Sequence, residues 1–214
     1  MCVDIPPAGV SGRGEKIQQD SVMIAKVAKA FIGFQISMGL IKEEDSDVYQ
    51  YGYIIMAEIA LNIVISICLG IWLGEVRGIF FFLCIFLPLR SYCGGYHAKK
   101  AWKCMLLSNA VAIGVVRVAK WGAFSLAPLW VKHFIAVMCS ISIIFLSPVD
   151  NENRKLDANE KKVYKRCTVK VLSIEMVLGA VMLFAGNIGF YHIILLTHAA
   201  LAVSLLYASL KGIQ

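Results

Sequence analysis

The stretch YIIMAEIALNIVISICLGIWL, residues 53–73, is apolar apart from Glu58, Asn62 and Ser66, and Glu58 is its one charged residue. An α-helix needs about 20 such residues to cross the hydrocarbon core of a bilayer. Five further apolar runs follow, at about 78–89, 105–119, 126–147, 169–187 and 190–210. We therefore predict an all-α, polytopic transmembrane helical bundle with about six membrane segments, whose immediate partner is the lipid bilayer.

The composition agrees with a membrane protein. Of the 214 residues, 59% are hydrophobic and 16% are charged, and the mean hydropathy is +0.72, whereas a soluble domain carries about a quarter charged residues. The net charge is +7. Basic loop residues set the orientation of a membrane protein, and no aromatic-interleaved basic pattern accompanies them, so we expect no nucleic-acid partner.

Residues 17–41 precede the first membrane segment and carry apolar residues spaced three and four apart. This spacing predicts one stripe of an amphipathic helix, which either lies in the membrane interface or packs against the bundle. We expect an N-terminal extension over residues 1–45 and a membrane-embedded domain over 46–214. The stripe consists of Ile24, Val27, Phe31, Phe34, Met38 and Ile41.

Lysine and arginine are concentrated in two loops, 90–103 and 149–168. Short basic loops stay on the cytoplasmic side, and six crossings place both loops on the same side as the two termini. The sequence therefore predicts a multi-pass protein of the cell membrane, with both termini and the 90–104 loop in the cytoplasm.

The second and third apolar runs are short, and they flank Gly94 and Gly95. Short runs around two glycines predict short or re-entrant elements, which are tolerated at membrane depth only inside protein or beside a water-filled cavity. Polar residues within apolar runs are candidates for function, and Glu58 and Glu175 are candidates for lining a polar cavity. For His133, His192 and His198 we expect pairing within the bundle or positions near helix ends.

The loop between these runs contains His97 and Cys104, with Lys103 adjacent to the cysteine. Cysteine nucleophiles react as thiolates, which cationic groups and imidazoles favour. In a straight helix the two residues lie about 10 Å apart, too far for proton transfer over roughly 3 Å. A catalytic pair therefore requires a bend, and Gly94 and Gly95 permit a tight turn just before His97.

Two alternatives to a catalytic pair remain open from the residues alone. In the first alternative, the loop is a basic segment that only sets the orientation of the protein in the membrane and contains histidine and cysteine by chance. A metal site from Cys93, His97 and Cys104 lacks a second Cys/His cluster for a fourth ligand, and we predict neither a metal nor another cofactor. Ser91, Glu58 or a backbone amide is a candidate for orienting His97 or stabilising an oxyanion.

The pattern Arg90-x4-Gly95-x-His97-x6-Cys104 resembles the core motif of the accessory gene regulator protein B family. Residues 147–155 and the apolar runs after residue 50 also resemble that family of bacterial quorum-sensing endopeptidases. The resemblance implies that Cys104 is the nucleophile and His97 its general base. It also implies supporting positions at Arg90 and Gly95, and Gly94 belongs to the same turn.

The resemblance further implies a substrate, an AgrD-like propeptide with an amphipathic leader, a central cysteine and an acidic tail, and it favours a homodimer. Basic side chains in the 149–168 loop, on the same predicted side of the membrane as the 90–104 loop, attract an acidic tail. They serve equally well to set the orientation of the protein in the membrane. The rival classes are a small peptide transporter and a non-catalytic membrane scaffold. The candidate substrate-binding residues are Lys161, Lys162, Lys165, Arg166 and Glu58.

Overall fold

The computed structural model describes residues 22–95, 101–121, 124, 126–149 and 157–210. Within these residues the chain forms seven α-helices and one 3₁₀ turn, and no strand. The helices are α1 Val22–Ser37, α2 Ser46–Trp72, α3 Val76–Cys93, α4 Ala101–Lys120, α5 Leu129–Leu146, α6 Ala158–Phe184 and α7 Ile188–Leu210, and the 3₁₀ turn is Glu43–Asp45.

Helices α2 to α7 are each long and apolar enough to cross a membrane. The predicted all-α bundle with six membrane segments is therefore confirmed. Helices α3 and α4 extend beyond the apolar runs 78–89 and 105–119, because backbone hydrogen bonds continue through polar residues such as Arg90 that a hydropathy pattern excludes. The predicted re-entrant element between α3 and α4 falls on residues 96–100, which lie outside the described part of the chain.

The described residues divide into two compact units. The first unit contains the residues up to Val64 and the start of α4 as far as Met105. The second unit contains the residues from Ile65 to the end of α3 and all those from Leu106 onward. The predicted division at residue 45 stays a prediction. In the second unit, α7 packs against α3, α5 and α6. A helix that is hydrophobic on all sides is a buried helix, and α7 fits this description because Leu201 and Leu205 are fully buried in the core.

The helix ends of the second unit meet in two groups. At one end the backbone N–H of Val149, after α5, donates to the carbonyl of Cys93 at the end of α3, 3.2 Å away. At the opposite end Lys120 forms an ion pair with Glu75, joining the end of α4 to the start of α3. The ends of α3 and α5, which adjoin the two basic loops, therefore lie together.

Helix α1 packs on the first part of α2 within the other unit. Ala25 and Ala28 form a small buried cluster with Ile54, and the hydroxyl of Tyr53 donates to the side-chain oxygen of Gln35 at 3.0 Å. Packing thus uses small residues beside the predicted stripe. Four large residues of the stripe are exposed, namely Val27, Phe31, Phe34 and Met38, whereas Ile41 is half-buried.

Candidate active site

The predicted catalytic pair falls partly outside the described residues, because His97 belongs to the segment 96–100. Cys104 lies in α4 and is half-buried. The geometry between the two side chains therefore stays a prediction. Cys93, the third member of the alternative metal site, is fully buried and packs in the apolar cluster of Leu89 and Leu205, a position that turns its thiol toward the core.

Arg90 lies in the last turn of α3 and organises the turn that follows. Its Nη1 donates a hydrogen bond to the carbonyl oxygen of Gly94 at 2.9 Å. The same nitrogen donates to Oγ of Ser204 on α7 at 3.1 Å. The guanidinium thus connects the end of one helix to a second helix that is 114 residues away in sequence.

The two glycines have conformations and neighbours that exclude a side chain. Gly94 has a φ of 74° and Gly95 a φ of 122°, both in the region that L-residues rarely adopt. A Cβ on Gly95 would overlap Nη1 of Arg90, and a Cβ on Gly94 would stand 2.6 Å from the carbonyl oxygen of Val149. Gly94 and Gly95 therefore end α3 in conformations that favour glycine, and neighbouring atoms pack against both of them. The predicted tight turn before His97 continues into residues 96–100, which lie outside the described part of the chain.

The segment after α5 completes the packing around this turn. Besides the hydrogen bond from Val149 to Cys93, Lys165 of α6 donates from its ammonium group to the carbonyl oxygens of Ile144 and Ser147. Carbonyl groups at the end of a helix have no partner within that helix, and a lysine side chain satisfies them here. The end of α5 is thereby fixed against both α3 and α6.

A basic groove lies beside the same segment. It has a volume of about 400 Å³ and is lined by Pro148, Lys161, Lys162, Lys165 and Arg166. Lys161, Lys162 and Arg166 are exposed, whereas Lys165 is half-buried. The four predicted basic residues therefore share one surface, but the ammonium group of Lys165 also serves the end of α5. We call this surface the basic groove.

Ionisable residues deep in the bundle are paired. Nε2 of His198 lies 2.8 Å from Oε2 of Glu175, and both side chains are buried. Nδ1 of His192 is 3.2 Å from the carbonyl oxygen of Ala119. Pairing within the bundle is thus confirmed for His192 and His198, and the Glu175 carboxylate contacts an imidazole rather than an open cavity.

The remaining candidates occupy separate places. Ser91 donates its hydroxyl to the carbonyl oxygen of Leu87 in its own helix, at 2.7 Å, so that proton is not directed at an oxyanion. Glu58 is half-buried on α2. The sequence reasoning missed Ser204 and Val149. A serine in an apolar helix is a weak hint of a polar contact, and nothing in the pattern indicated its partner.

These features define a class: an α-helical, multi-pass membrane protein in which an arginine-supported glycine turn precedes a His-x6-Cys segment. Within that class, the chain belongs to the accessory gene regulator B family, whose model matches residues 24–206. This family is linked to the processing of quorum-sensing propeptides. Comparisons with curated proteins and with solved structures give no match.

Proposed function

We propose that this protein is a membrane cysteine endopeptidase that removes the acidic tail of a short quorum-sensing propeptide. The Sγ thiolate of Cys104 attacks the carbonyl carbon of the peptide bond that precedes the tail, and His97 takes up the thiol proton. The C–N bond breaks, and the protonated imidazole returns its proton to the departing tail's amino group. The remaining peptide is held on Cys104 as a thioester.

Ring closure follows by exchange of one thioester for another. A cysteine thiolate within the bound peptide attacks the thioester carbonyl, the bond to Cys104 breaks, and a thiolactone is released. One thioester forms as another is consumed, so the step needs neither nucleotide nor oxidant. Water competes for the acyl group, and a site that excludes water favours cyclisation over hydrolysis.

The observation that supports this proposal best is the contact between Arg90 and Gly95. The two motif residues touch each other, and a Cβ on Gly95 would overlap the guanidinium. Their spacing therefore serves a defined backbone turn, two residues before His97 in sequence. A loop whose only role was to carry positive charge has no need of this packing. Catalysis requires a positioned base, and we infer that the packed Gly94–Gly95 segment positions His97.

The basic groove is the proposed site for the acidic tail. Helix α6 has 27 residues, about 40 Å at 1.5 Å per residue, which exceeds the hydrocarbon core of about 30 Å. Its first turns, with Lys161, Lys162 and Arg166, therefore extend beyond the apolar part of the helix. Cationic side chains raise the local concentration of an acidic substrate.

The proposal includes a location and an assembly. The groove, the glycine turn and both termini face the cytoplasm, and an impermeant amine reagent should label Lys161 and Lys162 in spheroplasts only after permeabilisation. Helix α1 rests in the membrane interface through its exposed Phe31 and Phe34, as an extension to the membrane-embedded domain. The active form is a homodimer, detectable as a cross-linked pair in liposomes.

The test uses the purified full-length protein in liposomes and a synthetic peptide with an amphipathic leader, a central cysteine and an acidic tail. Mass spectrometry follows release of the tail and formation of a peptide–protein adduct. We expect both in the wild type and neither in Cys104→Ala or His97→Ala. A peptide whose central cysteine is replaced by alanine should release its tail without forming a ring.

Cys167→Ala is the matched control, because Cys167 is also half-buried and also adjoins basic residues. This variant should process the peptide at the wild-type rate. Tail release by Cys104→Ala would exclude Cys104 as the nucleophile. Transport of intact peptide without cleavage would identify a transporter, and a wild-type protein that neither cleaves nor transports the peptide would favour a scaffold.

A further inference from the structure

Ser204 on α7 is outside the recognised motif, yet it makes a polar contact with a motif residue. Its Oγ accepts a hydrogen bond from Nη1 of Arg90 at 3.1 Å, and this nitrogen also donates to the carbonyl of Gly94 at 2.9 Å. One acceptor lies just after the end of α3, and the other lies on α7. Because an arginine side chain has many rotamers, a second acceptor on α7 restricts the guanidinium to the position that Gly94 requires.

Gly95 lies against both the Arg90 guanidinium and the Ser204 hydroxyl. A Cβ there would overlap Nη1 of Arg90 and would stand 3.0 Å from Oγ of Ser204. The backbone of Gly95 therefore lies directly on the hydrogen-bonded pair. A shift of the guanidinium changes the space available to this backbone, and with it the direction in which the chain continues toward His97.

The packing of α7 rests mainly on its buried apolar side chains rather than on the Ser204 hydroxyl. The helix is held by buried apolar residues on either side of it, including Leu201 and Leu205, which are fully buried. Ser204 itself is half-buried. Removing one hydroxyl oxygen leaves this packing in place, whereas it removes a hydrogen-bond acceptor of Arg90 Nη1.

We propose that Ser204 is a positioning residue for the reaction: through Arg90 it fixes the Gly94–Gly95 turn that leads to His97. The inference rests on the proposed function, because a positioned turn matters only if His97 acts as a base. A positioning role predicts an effect on the chemical step. It predicts little effect on peptide affinity, which the basic groove is proposed to supply.

The experiment measures tail release over a range of peptide concentrations for the full-length protein in liposomes. Ser204→Ala should lower kcat about tenfold, the effect of losing a hydrogen bond to a charged group, and should leave KM within about twofold. Ser204→Thr retains the hydroxyl and should recover at least about half of the wild-type kcat. Melting temperatures of all variants are recorded in parallel.

Ser209→Ala is the matched control. Ser209 is half-buried on the same helix, but five residues later and therefore about 140° around the helix axis. It should retain the wild-type kcat and KM. If Ser204→Ala lowers the melting temperature, Ser204→Thr decides, because only a positioning role requires the hydroxyl while tolerating the added methyl group.

The possible failures are distinguishable. Tail release by Cys104→Ala overturns the proposed function and the present inference with it. If release depends on Cys104 but Ser204→Ala matches the wild type, the inference alone is overturned. A rise in KM without a change in kcat, or equal losses in Ser204→Ala and Ser204→Thr, also overturns it, because either result assigns Ser204 to binding or packing.

Discussion

Lys165 of α6 donates a hydrogen bond from its ammonium group to the carbonyl oxygen of Ser147, 2.9 Å away, just beyond the end of α5. A second bond reaches the carbonyl oxygen of Ile144. The lysine therefore lines the basic groove and also satisfies backbone groups that α5 leaves without partners. Lys165 thus has a structural role that its neighbours in the groove lack, and a substitution at Lys165 should affect stability where one at Lys162 does not.

Lys165→Met should destabilise the protein. The substitution keeps most of the aliphatic chain but removes the charged donor, and hydrogen bonds to charged groups contribute about 1.5–3 kcal/mol each. We expect a lower melting temperature of the detergent-solubilised protein, measured by tryptophan fluorescence. Lys162→Met is the control, since Lys162 is exposed in the same groove. Equal destabilisation by both substitutions would contradict the capping role.

The exposed cations of the basic groove should act on substrate affinity. In Lys162→Glu/Arg166→Glu the groove repels an acidic tail, so KM for the synthetic peptide should rise about tenfold or more at low ionic strength. Added salt should reduce the difference, because exposed charges are screened over about 10 Å at 0.1 M. The measurement is the initial rate of tail release at several salt concentrations.

Lys170→Glu provides the matching control for this charge reversal. Lys170 is exposed on α6 but does not line the groove, so its reversal should leave KM nearly unchanged. A peptide whose tail carboxylates are replaced by amides should bind the wild type and the double variant alike. An equal rise in KM per reversed charge in the double variant and in Lys170→Glu would indicate a general effect of net charge.

Gly95→Ala should abolish most of the activity. The new Cβ would overlap the Arg90 guanidinium, and a φ of 122° costs an alanine on the order of 1–3 kcal/mol. Either the turn or Arg90 must move, and we expect tail release to fall more than about tenfold. Gly114→Ala, at an α4 position with no atom within 4 Å of the added Cβ, should retain full activity.

The Glu175–His198 pair should behave as a coupled unit. Glu175→Leu leaves a buried imidazole without its partner and should cost about 3 kcal/mol of stability. His198→Leu should cost a similar amount. Because the double substitution leaves neither group unpaired, it should recover at least about half of the loss. Melting temperatures of the four proteins test this, and simple addition of the two losses would contradict it.

The membrane segments were predictable because length and apolarity alone select a spanning helix. The boundaries of α3 were not, since Arg90, Ser91 and Tyr92 continue the helix although their side chains are polar. Backbone hydrogen bonding determines where a helix stops, and here Gly94 ends it. A hydropathy pattern records side-chain transfer energy and contains no information on that backbone.

The contacts that support the turn were not predictable from spacing. The hydrogen bond between Arg90 and Ser204 joins residues 114 positions apart in the sequence, whereas helical periodicity relates only residues a few positions apart. For Lys165, its place in a basic loop predicted a role in substrate binding or in topology, and the structure adds that its ammonium group donates to carbonyl oxygens at the end of α5. A charge count does not distinguish a lysine that caps a helix from one that meets solvent.

The short apolar length of α3 has a consequence for the lipid around it. Helix α3 as a whole is long and apolar enough to cross a membrane, but its uninterrupted apolar stretch, residues 78–89, covers only about 18 Å at 1.5 Å per residue of a hydrocarbon core about 30 Å thick. Hydrophobic mismatch of this kind is relieved by local thinning of the bilayer or by snorkelling, but the guanidinium that ends this stretch is already engaged by Gly94 and Ser204. The membrane must adapt instead, and we expect peptide processing to be faster in liposomes of short-chain than of long-chain lipids.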